Sequence, residues 1–210
     1  MPRIALLGDS IFDNKSYVGS DPDVVGHLRR LAPENWEFDL LAVDGNLVRH
    51  VSQQLRGLSE EVTHLVVSAG GNNAISNSDI LPMKAETAAE VFSSLADRTE
   101  AFEREYRAML RELAAAGRPY AVCTIYYPNF PDPIVQRIAK AALASFNDII
   151  LVLAAEHCLP ILDLRLVCNE TTDYANEIEP SGKGGEKIAA AMIEMIRDRD
   201  FTLPMARIFW

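Results

Sequence analysis

The stretch RIALLGDSIFDN, residues 3–14, decides how the rest of the chain is read. An unbroken apolar run that halts at Gly-Asp-Ser has the form of a strand buried on both faces and ending in a tight turn. Ser10 stands just past the strand, on a turn opened by Gly8, where hydroxyl and backbone N–H can be presented together. That arrangement suits a nucleophile. Taken alone, Gly-Asp-Ser is equally the composition of an ordinary turn or helix cap.

Working outward, the same pattern recurs. FDLLAVDGN (38–46), HLVVSAGGNN (64–73) and YAVCTIYYPN (120–129) are further apolar runs that end in small or polar clusters, and LPILDLR (159–165) is a shorter one. Helical spacing fills the intervals at 21–32, 46–58, 99–117, 132–158 and 181–200, with Gly117 and then Pro119 closing the third. Strands alternating with helices predict one α/β domain over residues 1–210, with a parallel sheet between helical layers. In such sheets ligands lie beyond the carboxyl ends of the strands, where GDS, GN, GGNN and YYPN all fall. The longest loops, 76–84 and 167–180, leave strand ends on that same face.

Acyl transfer needs donors aimed at a developing oxyanion, each commonly worth ~3 kcal/mol. The backbone N–H of Gly45 and the side-chain amide of Asn72, at the ends of the second and third runs, supply two beside Ser10. Asn72 also has a plain reading as a turn residue relieved by its glycines.

With these residues in view, the chain resembles the SGNH/GDSL hydrolase family over nearly its whole length. GDSIFDN carries the first block with Ser10, Gly45 the second, and Gly70-Gly71-Asn72-Asn73 the third, usually Gly-x-Asn-Asp. Asn176-Glu177-Ile178-Glu179-Pro180-Ser181 matches the fifth, usually Asp-x-x-His before Pro-Ser. The resemblance implies a flavodoxin-like three-layer α/β/α sandwich with a five-stranded parallel sheet. It also implies hydrolysis of small-molecule carboxylic esters, acyl or acetyl, through an oxyanion hole of Ser10, Gly45 and Asn72, with no metal or other cofactor.

The departures fall on the base. Asn73 replaces an acid, Asn176 stands where the triad aspartate belongs, and Glu179 stands where the histidine belongs. His27, His50, His64 and His157 all read as structural or solvated, since a lone histidine seldom marks a site. One reading makes Ser10, Glu179 and Asn176 catalytic, with Glu179 as base, oriented by Asn176 or polarised by Asp173. An ordinary carboxylate accepts a proton less readily than imidazole, which predicts an acid-shifted pH profile unless burial, or the charge of Glu177, raises its pKa. A second reading keeps the fold as a catalytically impaired binder of a small acyl or sugar ligand. A third makes Glu179 a loop residue at the positive end of the last helix.

Composition bounds the remaining possibilities. A net charge of −10 disfavours nucleic acid as a partner. GKGGEK lacks the G-x-x-x-x-G-K-[ST] phosphate pattern, and Glu177 with Glu179 lie too close along one segment to flank a glycosidic bond. No run reaches the ~18 consecutive apolar residues of a membrane span. Cys123, Cys158 and Cys168, without metal-ligand spacing or an export signal, suggest a reducing, cytoplasmic setting. The apolar tail FTLPMARIFW is expected to dock on the protein's own surface, or as an alternative to form a homodimer contact.

Overall fold

The computed structural model describes residues 1–198 and 205–210. In chain order its regular elements are β1 (Arg3–Gly8), α1 (Val24–Leu31), β2 (Glu37–Leu40), α2 (Val51–Leu55), β3 (His64–Ser68), α3 (Gly71–Ser76), α4 (Ala88–Ala115), β4 (Tyr120–Cys123), α5 (Pro133–Glu156), β5 (Pro160–Leu162), α6 (Leu164–Val167), α7 (Gly182–Asp198) and β6 (Arg207–Phe209). All strand pairings are parallel, in the order β2-β1-β3-β4-β5-β6.

The alternation of side chains along β1 explains the three layers. Ile4 and Leu6 point into a core completed by Val24 and Leu28 of α1 and by Ile188, Met192 and Ile196 of α7. Ala5 and Leu7 point the other way, towards Val51 of α2, Phe102, Tyr106 and Leu110 of α4, and Ile150 of α5. A strand apolar on both faces therefore has a helix layer on each. Helix α7 approaches closely because a Cβ at Gly184 would sit 2.1 Å from the Asp173 carbonyl oxygen, and one at Gly182 2.7 Å from Asp21 Cβ. These glycines serve packing, and the GKGG run needs no phosphate to explain it.

Three expectations change. The sheet has six strands instead of five, because Arg207–Phe209 of the apolar tail pairs with β5 and buries Phe209. Residues 199–204, the remainder of the last helix expectation and the first part of the tail, lie outside the described residues. Helix α4 starts at Ala88, eleven residues before the expected 99, capped by Thr87, which accepts from Glu90 N. The 46–58 segment is a single 3₁₀ turn, 48–50, followed by the short α2. Among the described residues one helix, α5, is long and apolar enough to cross a membrane. Its Phe146, Ile150 and Leu153 pack on the sheet, whereas Ile134 and Ile138 near its start are exposed.

Candidate active site

The strand order reverses between β1 and β3, the position at which open α/β sheets bind ligands. Ser10 follows β1 there and Asn72 follows β3. The turn after β1 can form only because residue 8 is glycine. Gly8 has φ of 121°, and a Cβ on it would lie 1.7 Å from the Ser68 carbonyl oxygen on β3. Gln54, buried on α2, then clamps the Gly8 peptide: its Oε1 accepts from Gly8 N at 2.7 Å and its Nε2 donates to Gly8 O at 2.7 Å. The same Nε2 also donates to Asn46 Oδ1 at 3.1 Å, which ties the Ser10 turn to the loop after β2.

Ser10 Oγ donates to Glu179 Oε1 at 3.0 Å, across 169 residues of chain. Both residues are buried, Glu179 only 5% exposed. Glu179 arrives on a loop held at several points. Tyr126 OH donates to Ile178 O, Asn14 Nδ2 donates to Pro180 O at 3.3 Å, and Tyr174 and Pro180 form an antiparallel bridge. Burial pushes the Glu179 carboxyl up to about 7, the Ser10 hydrogen bond opposes the shift, and the charge of Asp44 reinforces it. Glu179 Oε2 has no hydrogen-bond partner among the described residues.

Asn176 meets Glu179 through the backbone and not through the carboxylate. Its Oδ1 accepts from Ile178 N and Glu179 N, both at 2.9 Å, so the side chain shapes the loop and makes no hydrogen bond to the Glu179 carboxylate. Asp173 does not polarise the carboxylate either. It is fully buried, and its Oδ2 receives Lys187 Nζ at 2.8 Å together with the N–H groups of Asn169 and Glu170. The charges that couple to Glu179 are those of Asp44 and Asp9 instead of the expected Glu177, whose backbone carbonyl accepts from Asn129 N.

Asn72 lines the same cavity as Ser10 and Glu179. Its Nδ2 donates to Asn46 O at 3.0 Å, which fixes the amide and leaves the second N–H for a ligand. The Ser10 N–H has no protein acceptor among the described residues. Gly45, with φ of 78°, is on the exposed loop beside Asp44 and does not line the cavity wall. Asn73 points away, accepting from Val48 N at 3.0 Å and donating to Glu105 Oε2 at 3.0 Å. No histidine lines the cavity.

Two neighbours of the Ser10 turn escape the sequence reading. Asp9, 3% exposed, lines the cavity and is pushed up to about 7 by burial, opposed by the hydrogen bond from Ile11 N and reinforced by the Glu179 charge. Gln54 is the other. Its only sequence signal is an amide on a short helix, and nothing local reveals that the helix faces the Gly8 peptide.

The chain matches the model of the GDSL-like lipase/acylhydrolase family over residues 6–187. It belongs to that family. Among curated proteins none matches it by sequence. Solved structures of this GDSL-type fold superpose on nearly the whole chain at low identity. A GDSL-like lipase from Bacteroides thetaiotaomicron has TM-score 0.63 at 14% identity, covering 93% of this chain and 88% of its own. The acetyl xylan esterase AlAXEase reaches 0.69 at 15%, covering 92% and 99%. An inhibitor-bound aryl esterase from M. smegmatis reaches 0.67 at 11%, covering 94% and 99%. At such identities the GDSL fold is shared, and the chemistry has to be argued from this chain's own residues.

Proposed function

We propose that this family member is a serine ester hydrolase whose general base is Glu179, standing where the family has histidine. The observation that carries the reading is the buried 3.0 Å hydrogen bond from Ser10 Oγ to a carboxylate raised to about 7. Imidazole accepts protons near 6.5, so burial brings this carboxylate to the basicity that histidine has unaided.

In the proposed reaction Ser10 Oγ attacks the ester carbonyl carbon as its proton passes to Glu179. The oxyanion is met by the Ser10 N–H and the second N–H of Asn72 Nδ2. Collapse of the tetrahedral intermediate breaks the bond to the alcohol oxygen, which takes the proton back from Glu179. Water then attacks the acyl-serine, giving a proton to Glu179, and the Ser10 oxygen recovers it as the acid leaves. Asn176 acts through the loop, presenting Glu179 by holding its backbone N–H.

One observation favours the second reading, a binder without turnover: Glu179 Oε2 lacks the orienting partner that a triad base has. Intact-mass analysis after a fluorophosphonate probe separates the two. Stoichiometric labelling of the wild type that Ser10→Ala abolishes is the expected result. An unlabelled wild type after long incubation at neutral and alkaline pH identifies the binder.

A further inference from the structure

Ser10, Asn72 and Glu179 line a cavity of about 200 Å³ whose remaining surface is mainly apolar, with Asp9 and Arg98 as its other charged residues. One side of it is a stripe on α5: Val135, Ala139, Ala142, Leu143 and Phe146, spaced three and four apart so that they share a face. The facing wall comes from Ile75 of α3, Ile80 and Leu81 after it, and Leu95 of α4. The two small residues, Ala139 and Ala142, leave the space that larger side chains on α5 would fill.

The walls are fixed by hydrogen bonds. Asn147, fully buried on α5, accepts from Ile125 N and donates to Ile125 O, both at 2.8 Å, and Gln136 Oε1 accepts from Phe130 N at 3.0 Å. Ile75 and Leu81 line the cavity and are 48% and 51% exposed, so it opens to solvent through an apolar rim.

We propose that this cavity holds the acyl chain of the substrate, and that the substrate class is esters of apolar acids of medium to long chain length, in preference to acetyl esters. The proposal rests on the hydrolase reading above and assigns the two sides of the ester. Glu179, which returns the proton to the leaving oxygen, lines the cavity and also feels the charge of Asp44 on the exposed loop after β2, so the alcohol is assigned to the Asp44 edge, where Asp44 accepts from Tyr17 OH at 2.6 Å. The acyl chain then runs the other way, past Asn72, into the α5 stripe. An acetyl group would leave that stripe wetted. Each methylene moved out of water into it favours binding by up to about four-fold.

The test uses the full chain and two readouts. Rates on p-nitrophenyl acetate, butyrate, octanoate and palmitate are measured for wild type and Ser10→Ala. Binding of a dansylated fatty acid, displaced by decanoate, is measured on Ser10→Ala. Ser10-dependent kcat/KM is expected to rise by about ten-fold or more from acetate to octanoate, and the probe to bind. Ala142→Phe, and separately Ala139→Trp nearer the rim, should reduce the octanoate-to-acetate ratio by about ten-fold and weaken the probe in the Ser10→Ala background. Ser10-dependent turnover with a flat or falling chain-length series, and no probe binding, would overturn the acyl pocket while leaving the hydrolase standing. Probe binding that both filling variants weaken, with no Ser10-dependent hydrolysis of any ester, would keep the pocket and overturn the hydrolase.

Discussion

Replacing Glu179 with glutamine separates what the carboxylate does for chemistry from what it costs the fold. A carboxyl whose pKa is about 7 in the folded chain and 4.5 ordinarily stabilises the fold fully below about pH 4.5, and that contribution is lost as pH rises through about 7. Unscreened, the loss at high pH is about 3 kcal/mol. Solvent at the cavity mouth screens part of it, leaving about 1–2 kcal/mol. The amide of Glu179→Gln cannot ionise, and its oxygen still accepts from Ser10 Oγ. It also removes the charge that helps hold Asp9 up at about 7. The variant should therefore melt together with wild type near pH 4.5 and about 2–8 °C above it near pH 8, using ~2–4 °C per kcal/mol for a chain of this size. Ser10-dependent turnover should fall about 10²- to 10⁴-fold over the same samples. Calorimetric Tm across that pH range, beside the rate on a soluble ester, makes the comparison. A melting difference that does not change with pH, or a variant less stable than wild type near pH 8, would refute the claim that burial holds this carboxyl near 7. Full activity in the variant would remove Glu179 as the base.

Three further outcomes are expected. kcat/KM should rise with pH through about 7 as Glu179 ionises, level with a histidine enzyme; a plateau already reached near pH 5 in a pH–rate profile would contradict the burial argument. Asn72→Ala should lower kcat by about 10²- to 10³-fold with little change in KM, because its free N–H meets charge that exists only in the transition state; a change confined to KM, seen in steady-state kinetics, would argue against that role. Gly8→Ala should cost more than about 4 kcal/mol, since its Cβ would occupy the position of the Ser68 carbonyl; chemical denaturation that finds the variant within about 1 kcal/mol of wild type would show that the turn is not the one described.

Much of this fold is legible because local and global demands agree at particular residues. The run from Ile4 to Leu7 cannot be satisfied by one covered face, and Gly8 permits a backbone approach that no side chain allows. The early start of α4 has a local signal, since Thr87 with Glu90 has the spacing of a helix-capping pair. The sixth strand has none, because three residues at a sheet edge acquire their pairing from β5 and not from their own pattern. The same distinction governs the site. Ser10, Asn72 and Glu179 stand at the ends of readable elements and meet at one cavity. Glu177 is a neighbour of Glu179 in sequence, but the charges that couple to its carboxyl come from Asp44, on the loop after β2, and Asp9, neighbours that only the fold supplies. The spacing of Asn176 from Glu179 suggests a side-chain partner, but its oxygen is engaged by two backbone N–H groups of its own turn, one of them that of Glu179.

A glutamate base makes demands on its surroundings that a histidine does not. Imidazole titrates near neutrality even when wet, so a histidine enzyme can place its base at an open edge and orient it with an aspartate. A carboxylate in the same position would rest near 4.5 and hold no proton during turnover at neutral pH. Glu179 reaches about 7 chiefly because it is dehydrated, and the cavity that dehydrates it, with Tyr126 and Ile178 beside the carboxylate in its wall, is the one proposed for the acyl chain. On the proposed reading, base strength and substrate pocket are one property of the fold. Opening the cavity to water would weaken the base even where no catalytic atom moved. Filling it with an acyl chain would withdraw more water and strengthen the pull of Glu179 on the Ser10 proton, so that the ligand completes the environment the base requires. This also accounts for the missing orienting partner. A carboxylate has two equivalent oxygens and no tautomer to fix, so the loop clamps made by Asn176, Tyr126 and Asn14 are sufficient to aim it at Ser10.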